Sequence, residues 1–313
     1  MARRSSPRVP LPPSLGAAFS AADARSAEVG RGRLQGRDVT HPFHGVIARG
    51  ESPHLAARCQ ALSVRMTGRW YFSHVTAAVL YRIPLPRQLE RGDRPLDVCM
   101  LAPRTPPTAA GCRGHSISDQ KTRVLRSPTH PIVGPADVWC QLAPALSAED
   151  LVAAGDYLLS GNPLDGAGRH PLCTLDELHE AFSRHRGKRG AKKLRWALGR
   201  VRTGVDSRPE TILRLMLIAA GLPEPLIGDP TPVDAGRLLL HPDLTLKEWG
   251  VVFEYEGDGH RDRDRWLSDV QRYSWLRAAG WEVIQVTSDD LFRTPDAFLR
   301  RVFEVLRRRG YRS

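Results

Sequence analysis

The chain has 313 residues, 41% of them apolar, which is more than one small core needs and suggests two domains of ordinary size. Lysine and arginine number 46 against 34 acidic residues, a formal net charge of +12 that suits a polyanion such as nucleic acid, although an arginine-rich codon bias would give the same excess. The cysteines (Cys59, Cys99, Cys112, Cys140 and Cys173) are five in number and never spaced C-x-x-C. That argues against a disulfide framework or a structural zinc and for a reducing cytoplasm. No apolar run approaches the roughly 18 residues of a membrane span.

Residues 1 to about 40 are rich in Arg, Ser, Pro and Gly and read as a disordered basic arm. A mixed α+β domain is expected over 41–200. "LAARCQAL" (55–62) suggests a helix, and Ser73 is placed to cap a second helix that Pro84 stops. "PLDVCMLAP" (95–103) reads as a strand, and Pro135 opens a helix carrying Val138, Trp139 and Leu142. Two further helices begin at capping pairs, Ser147 with Asp150 and Thr174 with Glu177. Then comes the densest basic run, "RHRGKRGAKKLR" (184–195). Its Arg184, Arg186, Lys188, Arg189, Lys192, Lys193 and Arg195 make either a solvated face or a phosphate-contacting helix.

A second domain, α/β in class, is expected over 207–313. Ser207 caps "SRPETILRLMLIAAG", whose Leu213, Met216, Leu217 and Ala220 share a stripe. "GRLLLHPDLTL" and "VVFEYE" are strand-like, and the intervening "KEWG" predicts a hairpin. "DRDRWLSDVQRYSWLRAAG" is a helix with Trp266, Val270, Tyr273 and Leu276 inward. "WEVIQVT" is a strand, and "TPDAFLRRVFEVLRRRG" a last helix with Thr294 as cap and Pro295 at its first position. Neither a glycine-rich dinucleotide loop nor a P-loop is present.

The chemistry gathers in "VVFEYEGDGH" (251–260). With a strand period of two, Glu254 and Glu256 share a face opposite Phe253 and Tyr255. Neighbouring carboxylates need a metal, a proton or an arginine to neutralise them. Asp243, Glu254 and a backbone carbonyl near Tyr255 offer the oxygen donors that Mg²⁺ prefers, with Glu256 as ligand or water-orienting group and His260 as proton carrier. The plainer reading is a polar strand end and its turn. A hairpin turning near Glu248 and Trp249 is expected to separate the strand ends, so Asp243 needs a bulge or a splayed crossing to reach Glu254. Glu210 either closes the cap of Ser207 or stands at the rim of the site. Asp269 and Arg272 either reach the site or pair at the surface, and Gln285 is a sheet-face hydrogen bonder or a site residue.

"SRPETILRLMLIAAGLPEP", "HPDLTLKEWGVVFEYEGDGH" and "RWLSDVQRYSWLRAAGWEVIQVTSDDL" together resemble the DUF559 family, a Vsr-like branch of the PD-(D/E)XK nuclease superfamily. The resemblance covers about a third of the chain. It implies a restriction-endonuclease-like domain that cuts DNA with Mg²⁺ or Mn²⁺. Asp243 and Glu254 would be the metal ligands, Glu256 and His260 catalytic, and Glu210, Asp269 and Gln285 secondary. Glu256 stands where a nuclease lysine is usual. "FSHVTAAVLYRIPLP" and "HPIVGPADVWCQLA" are loosely similar to the AbiEi antitoxins of type IV toxin–antitoxin systems. That similarity implies a DNA-binding regulator with a protein partner of the toxin–antitoxin type, and a degenerate nuclease fold would serve such a regulator equally well.

Overall fold

The computed structural model describes residues 9–50, 54–66, 70–91, 93–106, 108–118, 121–125, 130–161, 170–257 and 263–312, with backbone alone for 263–269. The chain is a mixed α/β protein that divides into two compact units. One comprises Met1–Leu142 with Glu180–Gly187, the other Ala143–His179 with Lys188–Ser313.

The first unit begins with β1 (Ala18–Ser20), α1 (Ala21–Ser26), β2 (Val39–Phe43) and β3 (Val46–Arg49), which form an antiparallel sheet in the order β1-β3-β2. The expected disordered arm is therefore wrong from residue 9 onward; residues 1–8 lie outside the described residues. Leu11, Leu15, Phe19, Ala24, Val39 and Ile47 are sparse in the sequence but bury together. Two of the segment's arginines act as staples. Arg49 Nη2 donates to the carbonyls of Pro12 (2.7 Å) and Leu15 (2.9 Å), and Arg33 pairs with Asp38 at 2.6 Å. Carbonyls that find donors are what an irregular segment needs to stay folded.

Next come α2 (Leu55–Ser63), β4 (Trp70–Phe72), α3 (His74–Leu80), β5 (Leu96–Leu101), β6 (Cys112–Ile117), β7 (Val124–Leu125), β8 (Ile132–Val133) and α4 (Pro135–Leu142). Their strands form a five-stranded sheet in the order β6-β5-β4-β8-β7. Ser73 is the N-cap residue of α3, but its hydroxyl makes no capping bond. It is buried and hydrogen-bonds the Nδ1 of His74 at 3.0 Å. His74 has φ of +49° and stacks on His115 (centroids 3.7 Å apart, planes at 20°). His115 in turn donates from Nε2 to the buried carboxylate of Asp97 at 2.8 Å. Burial, reinforced by neighbouring His115, pushes the His74 imidazole down to about 4.

The second unit contains α5 (Ala148–Ser160), the start of α6 (Leu175–His185), α7 (Ala191–Leu198) and α8 (Arg208–Ala219). Caps form as the spacing predicts: Thr174 and Glu177 exchange both bonds, and Ser147 accepts from the Asp150 N–H at 3.0 Å. The Asp150 carboxylate does not return to its cap; it accepts from Arg208 Nε at 2.7 Å. Helices α5 and α8 are joined by a buried polar knot. Asp156 accepts from the Arg202 N–H (2.6 Å), the Thr211 hydroxyl (2.8 Å) and Arg214 Nη2 (3.2 Å), and Arg214 Nη1 also donates to Glu224 at 2.7 Å.

Beyond α8 the unit builds β9 (Leu226–Ile227), β10 (Thr231–Val233), β11 (Leu238–Leu240), β12 (Leu244–Leu246), β13 (Val251–Glu256), α9 (Arg263–Ala278), β14 (Glu282–Thr287), α10 (Ser288–Phe292) and α11 (Pro295–Arg308). The main sheet has the order β14-β13-β12-β9. Here β12 pairs antiparallel with β9 and β13, and β14 runs parallel to β13 after the α9 crossover. "KEWG" does form the hairpin turn, with Gly250 at φ +60°. Period two holds in β13: Val251 and Phe253 enter a core with Leu213, Leu217, Phe298 and Val302, while Val252 packs with Val233, Leu240 and Leu276. The acids of β13 thus face the α9 side of the sheet. Two expectations of inward or capping residues fail. Val270 of α9 is exposed, and the Thr294 hydroxyl donates back to the Asp289 carbonyl rather than capping α11.

Candidate functional site

The β12–β13 register pairs Leu244 with Phe253 and so sets Asp243 opposite Glu254 without a bulge, correcting the expectation that the hairpin separates them. The cause is elementary. In an antiparallel hairpin the residue before the first strand lies beside the far end of the second. Strand β12 stops at Leu244 while β13 runs on to Glu256, so the Tyr255 N–H takes an acceptor from beyond the β12 ladder. The Asp243 carboxylate supplies one, accepting at Oδ2 at 2.7 Å. Burial raises the Asp243 carboxyl above the usual carboxylate range, opposed by the Tyr255 N–H and by the positive charge of Arg272.

Glu254 is buried, and a buried carboxylate must be paired. Its Oε1 accepts from Arg272 Nε (3.1 Å) and Nη2 (2.9 Å), and the same Nη2 donates to the His241 carbonyl at 2.5 Å. Arg272, for which the sequence leaves two readings open, is paired with buried Glu254. Glu256 is half-buried; its Oε1 accepts from the Tyr273 hydroxyl (2.5 Å) and the Gln285 amide (2.8 Å). Gln285 is exposed and sits beside Glu254 in the parallel register.

Glu210 closes the cap. Its Oε1 accepts from the Ser207 hydroxyl (2.7 Å) and its Oε2 from the Asp206 N–H (3.0 Å), which closes the start of α8. It also lines a cavity of about 370 Å³ together with Asp206, His241 and Asp243. His241 was not anticipated from the sequence. Its Nδ1 meets the Gly228 carbonyl at 3.1 Å, and nothing in "LLLHPDL" distinguishes it from an ordinary polar residue before a strand. His260 lies outside the described residues, and of Asp269 only the backbone, within α9, is described.

The basic run is not a single helix. Helix α6 ends at His185 and α7 starts at Ala191, with Gly187 (φ +78°) and Gly190 (φ +88°) turning the chain between them. Arg184 is held by Asp137 at 2.8 Å, and Lys193 donates to the Leu146 carbonyl, so both are structural. Arg186, Lys188, Arg189, Lys192 and Arg195 are exposed, with Arg186 in the first unit and the other four in the second.

Carboxylate oxygens are the right donors for Mg²⁺ or Mn²⁺. Their placement is not. Among the described residues, no three His, Cys, Asp or Glu side chains stand close enough to hold an ion together. Glu254 shares its Oε1 with a guanidinium and both Glu210 oxygens serve the cap, so the residues as arranged do not fit a bound divalent ion. All five cysteines are free thiols, and no helix among the described residues is long and apolar enough to cross a membrane.

No family model matches the chain, and no solved structure matches it. Two curated proteins are similar to it: Uncharacterized protein MT2308 of Mycobacterium tuberculosis (strain CDC 1551 / Oshkosh) and Uncharacterized protein Rv2248 of M. tuberculosis (strain ATCC 25618 / H37Rv). Each is 28% identical over 269 residues, covering 85% of this chain and 92% of the relative. A match of that length exceeds either compact unit, so the likeness runs through residues of both.

Proposed function

We propose that the second unit is an endonuclease-like domain of the PD-(D/E)XK, Vsr-like kind, directed at the phosphodiester backbone of DNA in the cytoplasm. One observation carries the reading: Asp243 stands opposite Glu254 and opens on a cavity that Glu210 also lines. The net charge of +12 and the exposed Lys188, Arg189, Lys192 and Arg195 of the same unit suit a polyanion. Mg²⁺ or Mn²⁺ is the cofactor such an activity implies. As they stand, Glu254 is engaged by Arg272 and Glu210 by its cap, so these acids do not offer that ion a site.

A second reading is favoured by that same guanidinium. If the Arg272–Glu254 pair is permanent, the fold is a non-catalytic DNA-binding or antitoxin-like regulator with a toxin-type protein partner. Cleavage of supercoiled DNA with Mg²⁺ or Mn²⁺, compared among wild type, Asp243→Asn and Glu254→Gln, separates the two. The nuclease reading expects nicking by wild type and a loss of at least a hundredfold in either variant. Nicking that persists in both variants refutes it. DNA binding without nicking supports the regulator.

A further inference from the structure

The first unit holds a group of polar side chains that the endonuclease-like reading of the second unit does not use. We propose that His115, oriented by the buried carboxylate of Asp97, is the general base of a ribonuclease site that works without a metal ion, with Arg113 as its phosphate anchor.

Two parallel strands and the start of α3 bring the group together. In the register of β5 and β6, Asp97 lies beside Arg113 and Cys99 beside His115, so Arg113 and His115 rise from one face of β6. Asp97 is buried; its N–H donates to the Thr76 hydroxyl at 2.8 Å, and its carboxylate accepts from His115 Nε2 at 2.8 Å. That bond fixes the tautomer and leaves the lone pair of His115 on Nδ1. Among the described residues Nδ1 has no partner, yet it is not a buried orphan, so it opens to solvent. An imidazole with one nitrogen held by a carboxylate and the other free is set up to take a proton.

His74 walls this base on one side. Its ring stacks on His115, and burial, then His115 itself, with Arg113 adding to both, pushes it down to about 4. The stack therefore carries at most the one positive charge that His115 gains. His74 is held in an unfavourable backbone to do this. Its φ of +49° is one that bulky residues rarely adopt. Ser73, at the N-cap of α3, bonds His74 Nδ1 at 3.0 Å instead of capping the helix, and Gln141 Oε1 accepts from the His74 N–H at 2.9 Å. Strain that the surroundings hold in place concentrates at working sites.

Arg113 points to the substrate class. Its side chain is 55% exposed, stands 4.0 Å from Asp97 Oδ1 and makes no hydrogen bond among the described residues. An open fork of donors beside a base fits the two unesterified oxygens of a phosphodiester. A base and a guanidinium suffice where the phosphodiester brings its own nucleophile, and the 2′-hydroxyl of RNA is such a group. His115 Nδ1 takes the 2′-hydroxyl proton as the 2′-oxygen bonds to phosphorus, and the bond from phosphorus to the 5′-oxygen breaks. The 5′-oxygen takes a proton from water, and the hydroxide so formed takes the proton back from His115. The products are a 2′,3′-cyclic phosphate and a 5′-hydroxyl. Arg113 neutralises the charge that grows on the phosphoryl oxygens.

The test uses the full-length chain and a fluorescein-labelled, mixed-sequence, single-stranded RNA in EDTA, with product ends identified by mass spectrometry. Wild type is expected to cut the RNA to 2′,3′-cyclic phosphate ends and to leave its 2′-O-methyl counterpart and the matching DNA intact. His115→Gly should lose at least about a hundredfold, the scale of general-base catalysis, and added imidazole should restore part of the loss. A residue that only straps β6 to β5 gives no such rescue. Asp97→Asn, which alters a positioning residue, should lower kcat with KM near wild type, and Arg113→Gln should raise KM. Circular dichroism checks that each variant is folded, and the imidazole rescue decides the matter if Asp97→Asn is not. Absence of RNA cleavage by folded wild type, cleavage that persists in His115→Gly, or cleavage of the 2′-O-methyl strand overturns the inference. EDTA removes the divalent ions that the DNA-directed reading requires, so each reading can fail alone.

Discussion

Replacing Asp156 by alanine tests how the second unit is held together beneath its site. Asp156 is 1% exposed and is the acceptor for three donors, the Arg202 N–H, the Thr211 hydroxyl and Arg214 Nη2. Arg214 is itself wholly buried. Its remaining partners are Glu224 Oε1 at 2.7 Å and the Arg200 carbonyl at 2.8 Å. The alanine variant removes the buried counter-charge and leaves three donors short of an acceptor. Breaking a buried pair by removing one partner costs about 3–5 kcal/mol, and that range is the expectation here. The assay is urea unfolding at neutral pH followed by far-ultraviolet circular dichroism, on wild type, Asp156→Ala, Arg214→Met and the double variant. Because the two side chains are in contact, the double variant should recover a large part of the sum of the single losses. A loss below about 1 kcal/mol for Asp156→Ala, or strict additivity in the cycle, would show that the knot is not a coupled unit.

The same aspartate has a pH signature of definite sign. Burial pushes its carboxyl up to about 6, so its contribution to stability is fully present below the unfolded carboxylate value and is lost as pH rises through about 6. Holding the carboxyl up at about 6 is worth about 3 kcal/mol in all, of which wild type should lose about 2 kcal/mol relative to Asp156→Asn between pH 4 and pH 7. A stability difference that stays flat with pH contradicts the shift. Gly250→Ala should destabilise the chain by about 1–2 kcal/mol for the left-handed backbone alone. A Cβ there would also meet Arg309 Nη2 at 2.5 Å, so a melting temperature equal to wild type would refute the described turn.

How legible all this was in the sequence varied with the range of the interaction. Capping pairs such as Thr174 with Glu177, the "KEWG" hairpin and the alternating faces of "VVFEYE" depend on residues a few positions apart, and local spacing specifies them. The position of Asp243 depended on register. Asp243 was expected beside Glu254 only through a bulge or a splayed crossing, because antiparallel geometry was applied from the turn outward without counting to the far end. Arg272 reaches Glu254 across 18 positions and His241 across 31, and no local pattern encodes such a reach. The early arm misled for another reason. Its few apolar residues are diluted by proline and arginine, yet Arg49 and Arg33 bond loop carbonyls and carboxylates that a compositional average treats as exposed. The basic run looked continuous because charge was counted while the glycines at 187 and 190 were not.

Arg309, at the end of the last helix, donates to the carbonyls of Trp249 (2.9 Å), Gly250 (3.1 Å) and Gly280 (2.6 Å). Those carbonyls lie just ahead of β13 and β14, so one guanidinium ties together the entrances of the two parallel strands that carry Glu254, Glu256 and Gln285. During synthesis the acids are made some fifty residues before the side chain that secures their strand. The last helix thus closes a clasp across strand entrances laid down well before it.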